Sequence, residues 1–230
     1  MMKNETKPIA CTWANQSSCV RCELQGKLNC RWDGRLLKFF LLNQVPSLVM
    51  AFFGLTLIGI ITGGWWPLIL YGAACLLLWI FGVETRLLCT HCPFYTEDSK
   101  TLHCYALHGS PKIWRYRPGP MNWAEKAMLT VYFGFLLLFP VAAQAWGIWF
   151  IAASLANFGL FALLGMIGIT LATLMTEMQF IYVLSENYCS RCVNFSCPGN
   201  RVPKSTVDAY LKRNPVMKEA WQKSGYRLSE

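Results

Sequence analysis

The chain alternates between two long apolar runs and three shorter polar segments. From Phe39 to Val83 no Asp, Glu, Lys or Arg interrupts the sequence, and the same holds from Ala127 to Thr176. As continuous helices these runs would be roughly 65–75 Å long at 1.5 Å per residue. A hydrocarbon core is about 30 Å thick, so each run is expected to cross a membrane twice. Each also contains a break. Gly63-Gly64-Trp65-Trp66-Pro67 combines helix breakers with indoles that favour the interface. Trp146 to Asn157, with Gly147 and Trp149, is the weaker turn in the second run. The pattern predicts four transmembrane helices, at about 38–62, 66–84, 126–147 and 155–181. The alternative, a soluble protein with two buried helical hairpins, fits poorly with 54% hydrophobic residues and a mean hydropathy of +0.33.

Charge then orients the helices. All 21 basic residues fall in the polar segments: seven up to Lys38, six from Arg86 to Lys126, and eight from Arg191 to Arg227. Four crossings place these three segments on one side, and the positive-inside rule makes that side the cytoplasm, with both termini there. The start, MMKNETKPIACTW, lacks the apolar core of a signal peptide. The net charge of +9 is thus a topology signal first and an attraction to anionic headgroups second. Nucleic acid is not an expected partner, because no binding motif accompanies the charge. The organisation expected is an N-terminal Cys-rich segment (1–37), a first transmembrane hairpin (38–84), a central Cys/His-rich loop (85–125), a second hairpin (126–184) and a C-terminal Cys-rich tail (185–230).

Ten of the eleven cysteines lie in the polar segments: Cys11, Cys19, Cys22 and Cys30; Cys89, Cys92 and Cys104; Cys189, Cys192 and Cys197. Each segment holds one Cys-x-x-Cys pair and a third cysteine five to twelve residues later. A tight turn can aim two sulfurs at one ion while a loop returns the third. Structural disulfides would need an oxidising compartment, against the charge bias. Thiol–disulfide exchange is the other reading, but membrane oxidants of that kind work from the opposite face. Metal ligation also suits segments of about 35–45 residues, too small for an apolar core alone.

The fold class expected is therefore an all-α membrane protein with four transmembrane helices and a cysteine-rich, metal-stapled cytoplasmic cap. Ten cysteines with His103 and His108 make twelve ligands, enough for three tetrahedral zinc sites. The N-terminal four can form one site, the central trio can close with His103 or His108, and the tail trio needs a ligand from another segment. His91 sits inside its own Cys-x-x-Cys turn, where folding back onto the same ion is awkward. An iron–sulfur cluster is the alternative cofactor. Cys92-Pro93 and Cys197-Pro198 resemble cluster ligation, Phe94, Tyr95 and Phe195 would shield one, and the pairs lack the glycine of many zinc knuckles.

The apolar helices carry little further chemistry. They contain no histidine, so histidine-ligated haem between them is excluded, and their scattered methionines with Cys75 form no repeated ligand pair. Glu177 is an acid beside an apolar stretch, read either as functional or as lying near the headgroups. Asn43, Gln44, Gln144 and Asn157 read as interhelical hydrogen-bonders, and Gly159, Gly165 and Gly168 as close-packing positions. The loop 108–126 offers Arg115 and Arg117 as an anion grip, or else anchors Trp114, Tyr116 and Trp123 in headgroups. In the tail, Ser205 and Asp208 resemble a capping box, and Asn214-Pro215 opens a second short helix. No Ser/His/Asp triad, phosphate loop or HExxH appears. Three functions compete: a zinc-stapled scaffold docking a protein partner or complex at the cytoplasmic face, an iron–sulfur subunit passing electrons to a membrane quinone, and a small enzyme acting on a lipid-soluble substrate.

Overall fold

The computed structural model describes residues 10–14, 19–79 and 82–229, and is all-α. Among these residues there are seven α-helices: α1 Gly34–Thr62, α2 Trp66–Trp79, α3 Val83–Leu87, α4 Trp123–Ala153, α5 Leu155–Val183, α6 Lys204–Arg213 and α7 Pro215–Lys223. They fall into two compact units. A helical unit comprises residues 38–81 and 130–184; a polar unit gathers residues 1–37, 82–129 and 185–230.

The helical unit follows from the two apolar runs. Three helices, α1, α4 and an α5 continuing to Arg191, are long and apolar enough to cross a membrane. No more than a third of the most apolar window of each is buried, leaving Leu42, Val131, Leu138, Phe161 and Met175 mostly exposed. Such a surface suits hydrocarbon rather than water. The fourth expected span is shorter. Helix α2 is described over 14 residues, about 21 Å at 1.5 Å per residue. The chain turns at Gly63, whose φ of 70° favours glycine, and again at Ser154 after α4 has run six residues past its expected end.

The close-packing glycines are not the expected ones. No atom lies within 4 Å of a Cβ built on Gly159, Gly165 or Gly168; Gly159 instead takes φ 77° at a kink in α5. The tight positions are Gly54, filled by the Gln144 amide, Gly147, against Ile58 and Met166, and Gly59, where a Cβ would lie 2.6 Å from the Trp65 ring. An indole cannot bend away. Gly59→Ala is therefore expected to destabilise the helical unit by about 1–3 kcal/mol, read as a lower melting temperature in detergent, whereas Gly165→Ala should be neutral or stabilising.

The polar unit has its own core: Leu24 and Leu28 from the first segment, Phe94 from the second, and Val193, Val207, Tyr210, Leu211, Met217 and Trp221 from the third. Helices α6 and α7 thus turn one apolar face each inward. The capping details differ. Helix α6 starts at Lys204 after Pro203, placing Ser205 inside it. Asp208 instead accepts bonds from Lys204 Nζ (2.7 Å), Tyr226 Oη (2.8 Å) and the Ser229 amide (3.0 Å). Asn214 precedes α7 without capping it, donating to Tyr210 O (2.8 Å) and Cys11 Sγ (3.3 Å). Burial pushes the Asp208 carboxyl up, but its three donors outweigh burial and hold it at about 2. A depressed folded value means stability present above the unfolded value near 4 and lost as pH falls toward 2. Asp208→Asn should cost about 1–3 kcal/mol and abolish that acid-labile component, measured by denaturation at pH 7 and pH 3.

Candidate functional site

Two Cys-x-x-Cys turns share one backbone shape. Leu88 (φ −104°, ψ −55°) precedes a 3-10 turn over Cys89–His91, and Cys92 leaves it extended at φ −91°, ψ 135°. Tyr188 (φ −114°, ψ −57°) precedes the same turn over Cys189–Arg191, and Cys192 leaves at φ −77°, ψ 130°. Each follows one of the two apolar excursions, the first after α3 and the second after a π-helical turn, Leu184–Tyr188. The chain therefore repeats one plan: apolar hairpin, knuckle, then a returning cysteine.

Backbone amides aim at the sulfurs. Leu107 N–H donates to Cys104 Sγ (3.1 Å) and Asn194 N–H to Cys192 Sγ (3.4 Å). The Phe94 amide is turned toward the Cys92 sulfur, and those of Gly199 and Asn200 toward the Cys197 sulfur. The Cys-Pro steps account for two of these. Proline has no N–H and a fixed φ, so the first amide free to turn back belongs to the residue after it. Such donors favour a thiolate over a thiol.

The ten thiols sort into two groups. In the first, Cys30 is pushed up to about 12 by burial and then by its neighbours Cys11, Cys22 and Cys19. Arg31 donates to Cys19 Sγ (3.1 Å), and Asn214 ties Cys11 to the tail. The second group combines the central and tail trios. Burial raises Cys92, and the neighbouring Cys192, Cys104 and Cys197 add to it. Cys192 is pushed to about 12, by burial first and then by Cys197, Cys189 and Cys104. Cys89 also senses Cys104, Cys92 and Cys192. Gly199 sits between two of these sulfurs; a Cβ there would be 3.7 Å from Cys189 Sγ and 3.9 Å from Cys197 Sγ. All eleven cysteines are free thiols. Among the described residues, no group of three or more His, Cys, Asp or Glu is so placed as to hold a metal ion.

The histidines are engaged elsewhere. His103 Nδ1 is 2.6 Å from Glu97 Oε2, and its ring lies 5.3 Å from that of His108, which stacks on Trp32. His91 is buried, with Nδ1 2.6 Å from Gly119 O and Nε2 3.5 Å from Glu125 Oε2. Burial lowers the His91 imidazole, with Arg117 and Arg86 adding to that against the Gly119 carbonyl and Glu125. Arg117, offered in the sequence either to an anion or to headgroups, instead donates to Glu125 Oε1 (2.5 Å), Arg86 O (2.9 Å) and Thr90 Oγ1 (3.1 Å). Glu125 and Asn122 exchange side-chain-to-amide bonds and so cap α4.

Two acids stand out. Glu84 is buried, and burial pushes its carboxyl up to about 7; its charge reaches Cys89, Cys104 and Cys197. It is absent from the residues expected to matter, and its one signal in the sequence is that it is the first charge after 45 uncharged residues. Glu177 is 6% exposed, and it lies on the buried face of α5 with Met166, Thr170 and Thr173. The aromatic residues Trp13, Phe94, Tyr105 and Tyr188 form a chain of ring contacts through the polar unit, each at 5.4–6.3 Å. The chain matches no protein-family model, and neither a curated protein nor a solved structure matches it.

Proposed function

We propose that this is a four-crossing integral membrane protein whose polar segments form one cytoplasmic unit, bound to metal through cysteine thiolates. Zinc is the metal the donor set suits best, held by Cys11, Cys19, Cys22 and Cys30 in one place and by Cys89, Cys92, Cys104, Cys189, Cys192 and Cys197 in another. The observation that supports this reading is the meeting of the central and tail trios in one group with amides directed at four of its sulfurs. Burial raises all six of these thiols, Cys189 with Arg201 beside it; a divalent ion would favour the thiolates and release their protons. A cysteine has a single rotor, and each step between staggered wells moves its sulfur by roughly 3 Å. Convergence on an ion therefore asks for side-chain rotation, not a new backbone.

In this reading the thiols supply the two sites; His103 Nδ1 meets Glu97 and His108 stacks on Trp32, contacts that leave His103 Nε2 as a further donor for the central group. The metal-bound unit would act as a scaffold, docking a soluble protein or organising a larger membrane complex. An iron–sulfur redox subunit is the second reading, favoured by the ring contacts linking Trp13, Phe94, Tyr105 and Tyr188, and by the two Cys-Pro turns. Quinone would be a partner only in that case. Anaerobic purification with metal analysis separates the two. A colourless protein with about two to three zinc ions per chain is expected. A brown protein with iron and acid-labile sulfide would establish the redox reading. All eleven thiols free and no bound metal would sink both.

A further inference from the structure

Glu177 is the sole charged residue within 39–81 and 130–184, which also contain no histidine. It lies six residues before the end of α5 at Val183, about 9 Å along the axis. Polar side chains share the buried faces of its helix and of α1. The buried face of α5 presents Thr170 and Thr173, and the buried face of α1 presents Asn43 and Ser47. Gln179 donates to Asn43 Oδ1 (3.2 Å), joining the two helices beside the acid. From α2, Tyr71 lies within electrostatic reach of Glu177 and donates its hydroxyl to Cys75 Sγ. From α4, Tyr132 is the next titratable group beyond Tyr71.

Helical stripes of this kind are not needed for anchoring. Exposed positions of the same helices are mostly large apolar side chains, among them Leu42, Val131, Phe161 and Met175, yet the inward face of α5 turns from Met166 to Thr170, Thr173 and Glu177. A carboxylate buried without a base must be neutralised by a proton or by a cation. The threonines favour the proton. Thr170 Oγ1 donates to Met166 O (2.8 Å) and Thr173 Oγ1 to Ile169 O (2.9 Å), so both hydroxyl protons are committed within α5 and neither is a donor to a carboxylate.

We propose that Glu177 is an intramembrane proton-binding site, holding a proton within the helical unit and exchanging it with water at neutral pH. A site of that kind gives the helices a function beyond anchoring, as the carrier residue of a proton-coupled process. It is independent of the metal reading.

The test is labelling of the purified, detergent-solubilised protein with dicyclohexylcarbodiimide, which reacts with protonated carboxyls in apolar surroundings. Peptide mass mapping then locates the adduct. At pH 7.5 a water-exposed glutamic acid is protonated in only about one molecule in a thousand. Glu186, half-exposed just beyond α5, serves as the internal control. The expected result is at least about ten-fold more adduct on Glu177 than on Glu186, equal in sodium and choline buffers and absent in Glu177→Gln. That variant mimics the neutral acid and should melt with the wild type. Protection by sodium would overturn the proposal in favour of a cation site. Labelling confined to pH 5.5 would show an ionised carboxyl, and no labelling at either pH a carboxyl sealed from exchange; either result overturns it.

Discussion

Replacing Cys192 with serine is expected to remove most of the metal from the six-thiol group and to open the tail to protease, while the helical unit stays intact. Cys192 faces thiols of both trios, with Cys197 and Cys189 on its own segment and Cys104 and Cys92 on the central one. Its loss therefore removes a shared neighbour rather than a local one. Between Cys197 and α6, with Pro198 and Pro203, the path has no helix or strand and is held to the knuckle by Arg201 N–H on Cys189 O (3.0 Å) and Asn200 Nδ2 on Cys192 O (2.9 Å), so loss of ligation there is expected to loosen it. Metal-binding energy in so small a segment is largely folding energy. Helices in a bilayer satisfy their backbone bonds internally and persist. Limited proteolysis should cut the variant between Val193 and Lys223, at least ~10-fold faster than wild type by the effect of losing a few kcal/mol. The fragment up to about Ser185 should survive. Cys19→Ser is the informative comparison, since it should lower metal by about one ion per chain and spare the tail. A Cys192→Ser protein with unchanged metal and unchanged resistance would show that this thiol is no ligand.

What was legible in the sequence was set by composition, and what was not was set by packing. Two charge-free runs broken by Gly-Gly-Trp-Trp and by a Gly/Trp/Asn stretch are enough to place α1, α2, α4 and α5, because apolar length and helix breakers are local properties. The spacing of the cysteines likewise marks the knuckles, since a Cys-x-x-Cys turn is closed by its own four residues. The partners of side chains are a different matter. Arg117 reads as a free cation in the sequence, yet it closes on Glu125, eight residues later, because the loop between them folds back over Thr90. Gly159 and Gly165 look like small-residue packing positions, but the close approach falls at Gly54 and Gly59, where Gln144 and Trp65 fill the space. Which of two similar glycines meets a neighbour depends on helix rotation, and a uniformly apolar run carries almost no periodicity to fix it. Asn214 also deceived: its sequence position suits a cap, while its side chain bridges Cys11 and α6.

Cysteine replacements at two exposed positions are expected to give opposite labelling in intact cells. Ala153→Cys, at the α4–α5 turn, should react with an impermeant maleimide from outside; Lys223→Cys, in α7, should react only after permeabilisation. Helix α2 is too short, over its described residues, to count as a span by length alone, so the number of crossings has to be reasoned from connectivity. With three crossings, residues 1–37 would lie on one side of the membrane and residues 82–129 and 185–230 on the other. These segments instead share one core and hydrogen-bond directly: Asn29 N–H to Arg191 O (2.8 Å), Thr12 to Tyr210 (2.8 Å) and Tyr188 to Leu36 O (2.6 Å). A unit built this way is not expected to be divided by a bilayer, so each apolar excursion is expected to return to the side it left, which makes the expected number of crossings even. The 21 basic residues, all in those segments, make the cytoplasm the side expected by the positive-inside rule. Labelling of Lys223→Cys from outside would invert the orientation and, by placing the thiols in an oxidising compartment, would turn the two cysteine groups from metal sites into disulfides.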